Sequence, residues 1–125
     1  MTDETKMAIF HRIKKLLRQH VPPLVVTKEM ATNFEIAGTK TVKVGNKETE
    51  GIFFASAVAQ KNHVGFYFFP IYTHPQQFED TPQQLRQKLK GKSCFHIKKL
   101  DEDVFRHINA LLKKGVEVYK TVEWI

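Results

Sequence analysis

The sequence predicts an α+β domain of two layers, an antiparallel meander sheet with N-terminal and C-terminal helices packed on one face. Three observations lead there. Apolar residues recur at helical spacing near both ends of the chain, and the central stretch switches to β-branched and aromatic runs. The gaps between those runs are too short for the crossover of about a dozen residues that parallel strands require. With 125 residues the chain reads as one domain, 1–125, able to bury roughly two-thirds of the surface its unfolded form exposes.

Taken in order, Ile9, Ile13, Leu16 and Leu17 form one helical stripe, with Arg12, Lys14, Lys15 and Arg18 mostly away from it. Asp3 and Glu4 suit the positive end of that helix, and Pro22-Pro23 is expected to stop it. LVV then reads as an extended lead-in. FEIA, TVKV, GIFFASAVAQ and VGFYFF read as strands, separated by Gly38, Gly45-Asn46 and Lys61-Asn62. In the third of these, Phe53, Ala55, Ala57 and Ala59 are expected on one face, with Ile52, Phe54, Ser56 and Val58 on the other. Tyr72 to Asp80 reads as a loop. Thr81-Pro82 reads as the start of a short helix, QQLRQKLK, that Gly91 ends. SCFHIKK is one more strand. Asp101 then caps a helix carrying Val104, Phe105, Ile108, Leu111 and Leu112, with Gly115 ending or weakening it and the closing VEVYKTVEWI read as helix.

A hydrophobic fraction of 42% and a charged fraction of 26% lie near globular averages and exclude a disordered or fibrous chain. No apolar run reaches the length of a membrane span, so no membrane partner is expected. MTDETKMAIFHRIKKLLRQH lacks the continuous apolar stretch of a signal peptide, and the lone Cys94 fits a reducing compartment; the expected location is cytoplasmic. The net charge of +7 attracts polyanions, so weak, non-specific association with nucleic acid is expected.

The run NHVGFYFFPIY poses the functional question. Alternation places His63, Gly65, Tyr67, Phe69 and Ile71 on one face and Val64, Phe66, Phe68 and Pro70 on the other. A helix layer explains one apolar face. Aromatic residues on the other, open face point to a pocket or a partner surface.

QKNHVGFYFFPIY, GKSCFHIKKLDED and LLKKGVEVY resemble the YdhG-like family of small bacterial domains, over about Leu16 to Tyr119. The resemblance implies a frataxin-like α+β fold, and one branch of that family is described as an intracellular iron chaperone. Frataxin-type iron sites look like carboxylate clusters on the first helix and the adjoining strand edge. Here the first helix presents Arg12, Lys14, Lys15 and Arg18, leaving Asp3 and Glu4.

Among residues able to carry chemistry, Asp101, Glu102 and Asp103 are the densest acids, and a helix start accounts for them without a metal. Glu79 and Asp80 read as a solvated pair. The six histidines show neither HxH nor HxxxH spacing. Cys94 and His96 share a strand face, but two ligands fall short of a zinc site. A nucleophilic Cys94 would need a depressed thiol pKa and an orienting acid, and no such acid is evident. Arg86, Lys88, Lys90, Lys92, Lys98 and Lys99 surround Phe95 and His96, a mixture of cations and rings that single-strand binders use, though no RNA-binding signature accompanies it. There is no Gly-rich phosphate loop and no GxSxG. The expectation is a non-enzymatic domain, monomeric or homodimeric and without cofactor or metal. Its open sheet face, with Tyr67, Phe69, Tyr72, Cys94, His96 and Lys98, binds a small ligand or a protein. Iron delivery and weak nucleic-acid binding are the alternatives.

Overall fold

Helix α1 (Asp3–Arg18) forms where the apolar stripe lies, and the computed structural model, which describes residues 1–125, shows how its ends are fixed. The Thr2 hydroxyl accepts the Thr5 amide at 3.1 Å, Asp3 and Glu4 occupy the first turn, and Lys15 and Arg18 the last. Its buried face is Ile9, Phe10, Ile13 and Leu17. The helix ends at Arg18, so Pro22-Pro23 lies in the turn beyond it and is not the residue pair that stops it.

Strands β1 (Val25–Met30) and β2 (Asn33–Ala37) pair antiparallel, the expected lead-in having become a full edge strand. Strands β3 (Thr41–Val44) and β4 (Lys47–Glu50) make a separate hairpin turning at Gly45, whose φ of 63° is one that glycine adopts without strain. Strands β5 (Phe53–Ala59) and β6 (Val64–Phe68) resume the main sheet, because β2 pairs with β5 across the inserted hairpin. The chain then does not run as the expected loop. It forms a short helix α2 (Pro70–Thr73), a 3-10 turn at Pro75–Phe78 and a one-turn helix α3 (Gln83–Arg86).

Helix α3 is shorter than the expected QQLRQKLK. Thr81 does not cap it, since its hydroxyl donates to the Phe78 carbonyl at 2.6 Å. Leu89–Lys90 form strand β7, and Gly91, at φ 78°, turns the chain into β8 (Cys94–Ile97) instead of closing a helix. The spatial order of the antiparallel sheet is β1-β2-β5-β6-β8-β7.

Helix α4 (Glu102–Thr121) is capped by Asp101, whose side chain accepts from the Asp103 and Val104 amides, and it runs straight through Gly115. The closing segment is helical as far as Thr121. Beyond it, the Trp124 amide donates to the Tyr119 carbonyl at 2.8 Å and folds the last residues back on the helix end.

Both long helices cover one face of the sheet, where Phe34, Phe54, Phe66, Phe68 and Phe95 are all fully buried. The alternation expected for β5 fails at its start. Ile36 pairs with Ala55 but Ala37 with Phe53, a β-bulge that makes Phe54 the extra residue and turns it into the core, where it meets Phe68 and Tyr119 edge-on at 5.7 Å. Ala55 and Ala57, opposite Phe68 and Phe66, keep that face shallow enough for α1 to approach.

Gly115 meets the core at its tightest point. A Cβ there would lie 2.6 Å from Phe68 Cζ and 3.2 Å from Phe54 Cζ. Helix propensity alone favours Ala over Gly by about 1 kcal/mol, whereas overpacking a closed core costs about 1–3 kcal/mol. Because Phe68 is itself held edge-on by Phe54 and Phe78, packing wins. Gly115→Ala should therefore lower the urea midpoint, and Phe68→Leu in the same chain should recover part of the loss; a Gly115→Ala variant more stable than the parent would contradict this packing.

Candidate functional site

The open face is built by the β5-β6-β8 ladder. Ser56, Tyr67 and Cys94 stand opposite one another in one row, and Val58, Gly65 and His96 in the next. Tyr67, Cys94 and His96 thus share the open side, because β6 and β8 are neighbours in the sheet. Gly65 has a specific use there. A Cβ at this position would lie 3.0 Å from Tyr67 Cε2 and 3.4 Å from Cys94 Sγ, so the absence of a side chain lets the Tyr67 ring lie down on the sheet. Gln60 Nε2 donates to the Tyr67 hydroxyl at 3.1 Å and holds it there. Burial raises the Tyr67 pKa, opposed by that hydrogen bond.

The same partial burial pushes the Cys94 thiol up, away from the thiolate that nucleophilic attack needs. His96 does not face Cys94 as a second ligand. Its ring stacks on His63, with centroids 3.7 Å apart and planes 17° from parallel. The His63 pKa is lowered by burial first and then by the neighbouring His96 and Lys98, and its Nε2 is buried without a hydrogen-bond partner.

Phe69 and Tyr72 belong to a second cluster. Phe69 packs against Phe53 and Tyr72, with ring centroids 5.6 Å apart in both pairs. Phe53 joins this side because the bulge gave its inward place to Phe54. A cleft of about 300 Å³ opens between Phe53 and Phe69 on one wall and Val44, Lys47 and Thr49 of the hairpin on the other. Tyr72 is 48% exposed, with the Lys92 ammonium 5.4 Å from its ring centroid.

Lys98 belongs to a third place. With Lys88, Lys90, His96 and Lys99 it lines a cleft of about 440 Å³ at the β7–β8 edge, and Asp101 is the one carboxylate there. Asp101 is occupied in capping α4 and accepts Gln84 Nε2 at 3.3 Å. Four lysines of the basic run therefore converge, while Arg86 and Lys92 line a different cleft and Phe95 goes to the core, as alternation requires.

The six expected site residues thus form adjoining patches along one face, not one pocket. Gln60, His63 and Phe53 are additions. His63 was legible by alternation as a neighbour of Tyr67, whereas Phe53 was hidden by the bulge. Several acids are engaged elsewhere. Glu102 takes a two-pronged pair from Arg12 at 2.6 and 2.8 Å, Asp103 pairs with Arg106, and Glu29 holds both Lys14 and Arg18. Asp80, expected to be merely solvated, is bound by Lys114 at 2.9 Å, which lowers its pKa. No three His, Cys, Asp or Glu side chains are placed to hold a metal ion, and no helix is long and apolar enough to cross a membrane.

No family model matches the chain, and neither a curated protein nor a solved structure matches it.

The histidines set an acid response. Burial lowers the pKa of His20, His63 and His74 below the ordinary 6.5, so the unfolded chain takes up protons there before the folded one does. Stability from these groups is intact above 6.5 and declines as pH falls from that value towards each folded pKa. Glu29, Asp80 and Glu102, held low by their cations, add a second loss only once pH drops through the carboxylate range. Melting temperature should fall between about pH 7 and about pH 5, and His63→Phe, which keeps a stacking ring but removes the proton site, should flatten part of that slope. Identical slopes in parent and variant would show that His63 is not one of the groups responsible.

Proposed function

We propose that this chain is a non-enzymatic, cytoplasmic YdhG-like domain that binds a small ligand through the open face of its sheet. The observation that carries this reading is the asymmetry of β6. Phe66 and Phe68 are fully buried beneath the helices, whereas Tyr67 and the following Phe69 stay partly exposed on a face no helix covers, with Tyr72 exposed beside them. The order helix, antiparallel sheet, helix supports the family resemblance and the frataxin-like arrangement it implies.

Iron delivery draws little support, because Glu29 and Glu102, which reach α1 from other elements, are held by Arg12, Lys14 and Arg18, and of the two acids on α1 itself Asp3 is paired with Lys6, leaving Glu4 alone. Calorimetric titration with ferrous iron at neutral pH should show nothing tighter than millimolar association, a free energy of about 4 kcal/mol. Stoichiometric micromolar binding would reinstate the iron reading.

For the open face itself, a library of small metabolites screened by thermal shift, with hits mapped by amide chemical shifts, should give perturbations centred on Tyr67, Phe69, Tyr72 and His96. Phe68→Ala should cost about 3–5 kcal/mol of stability, as truncation of a buried aromatic does. Tyr67→Ser should cost less and remove binding. Hits mapping to the helix side, or equal stability losses at Tyr67 and Phe68, would count against a site on this face.

A further inference from the structure

The cleft at the β7–β8 edge carries a more specific assignment. Several cations are held by carboxylate partners, Arg12 by Glu102, Lys14 and Arg18 by Glu29, Lys114 by Asp80 and Arg106 by Asp103, while others, such as Lys28 and Lys43, are unpaired on the surface. Lys88, Lys90, Lys98 and Lys99 have none within salt-bridge distance, yet they line one cleft together. Their mutual repulsion is unfavourable in the unliganded state, and an anion in the cleft relieves it.

No apolar side chain lines the cleft, so its occupant is held by charge and hydrogen bonds alone. The donors are four ammonium groups, the His96 ring and the Gln87 amide, while Gln84 is already committed to Asp101. Asp101 is spent on the Asp103 and Val104 amides, which reduces its power to repel an anion. The volume of about 440 Å³ falls within the range of small-ligand sites. Several ammonium groups around one space suit several oxyanions in one molecule better than a single carboxylate.

We propose that this cleft binds a small anion bearing two or more linked phosphates. The assignment rests on the open sheet face being a binding surface, since His96 and Lys98 border both. A single-stranded nucleic acid, which has the same phosphate chemistry, fits less well. It needs rings free to stack beside the cations, and here Phe95 is buried, Tyr67 lies flat over Gly65, and one side of His96 is taken by His63.

The test is a calorimetric and amide-shift titration of the full chain with tripolyphosphate, a nucleoside triphosphate, a soluble inositol polyphosphate and a short oligonucleotide, all at one ionic strength. The first three distinguish free, nucleotide and lipid-headgroup sources of the same chemistry. At least one should saturate with shifts confined to Lys88, Lys90, His96, Lys98 and Lys99. Joint replacement Lys90→Gln and Lys98→Gln should weaken it about tenfold or more, whereas Lys40→Gln with Lys43→Gln, an equal charge change at the hairpin, should leave it unaltered. Shifts spread over all surface lysines, equal losses in the two double variants, or tighter binding of the oligonucleotide than of every small anion would overturn the assignment. If metabolite hits map to Tyr67 and Phe69 while these small anions fail to bind, the phosphate assignment falls and the open-face reading stands.

Discussion

The contact on which the rest of this structure depends is the seating of α4 on the phenylalanine layer at Gly115. Without a side chain at that position the helix backbone comes down onto Phe68 and Phe54, and the helix continues past it to bring Tyr119 onto Phe54. Tyr119 in turn sits against Trp124 and within 2.9 Å of the Thr73 hydroxyl, so the helix end, the chain terminus and α2 are tied to one ring. A glycine inside a long helix is unfavourable locally and is retained here because the approach it permits buries several aromatic rings at once.

That one-sided closure decides what the other face can be. With both long helices on the same side, the open face of β6 cannot be core, yet its sequence is not that of an ordinary solvated strand. The structure resolves the tension partly through local packing. Tyr67 covers Gly65, His96 covers His63, and Phe69 shelters between Phe53 and Tyr72. Each ring gives up one side to a neighbour and keeps some area in water. Such a face is neither a finished core nor a bare hydrophobic patch.

Much of this was legible in the sequence because periodicity records burial. Val64, Phe66 and Phe68 against Gly65 and Tyr67 follow directly from alternation, as does the pairing of Cys94 with His96 on the same side. What alternation cannot report is a change of register. The bulge at Phe54 exchanges the faces of Phe53 and Phe54, and with it the membership of the outer aromatic cluster. Short elements failed for a related reason. Strand β4, KETE, carries no apolar period because it pairs in a hairpin outside the main sheet, and Leu89–Lys90 read as helix because two residues hold too little pattern to outweigh a helical run before them.

Charge shows a different kind of limit. A count of lysines predicts attraction to polyanions but says nothing about where it is strongest, since that depends on which carboxylates find partners. Glu29, beside α1, and Glu102 and Asp103, at the start of α4, are drawn into pairs with Arg12, Lys14, Arg18 and Arg106, and Asp101 caps its helix. Part of the positive charge on the helix side is thereby offset. The antiparallel return from β7 to β8 then brings Lys88 and Lys90 beside Lys98 and Lys99 with no acid free to offset them. The positive field is set by topology as much as by composition: a hairpin of alternating lysines concentrates charge that the same residues, strung along a helix, would spread around it.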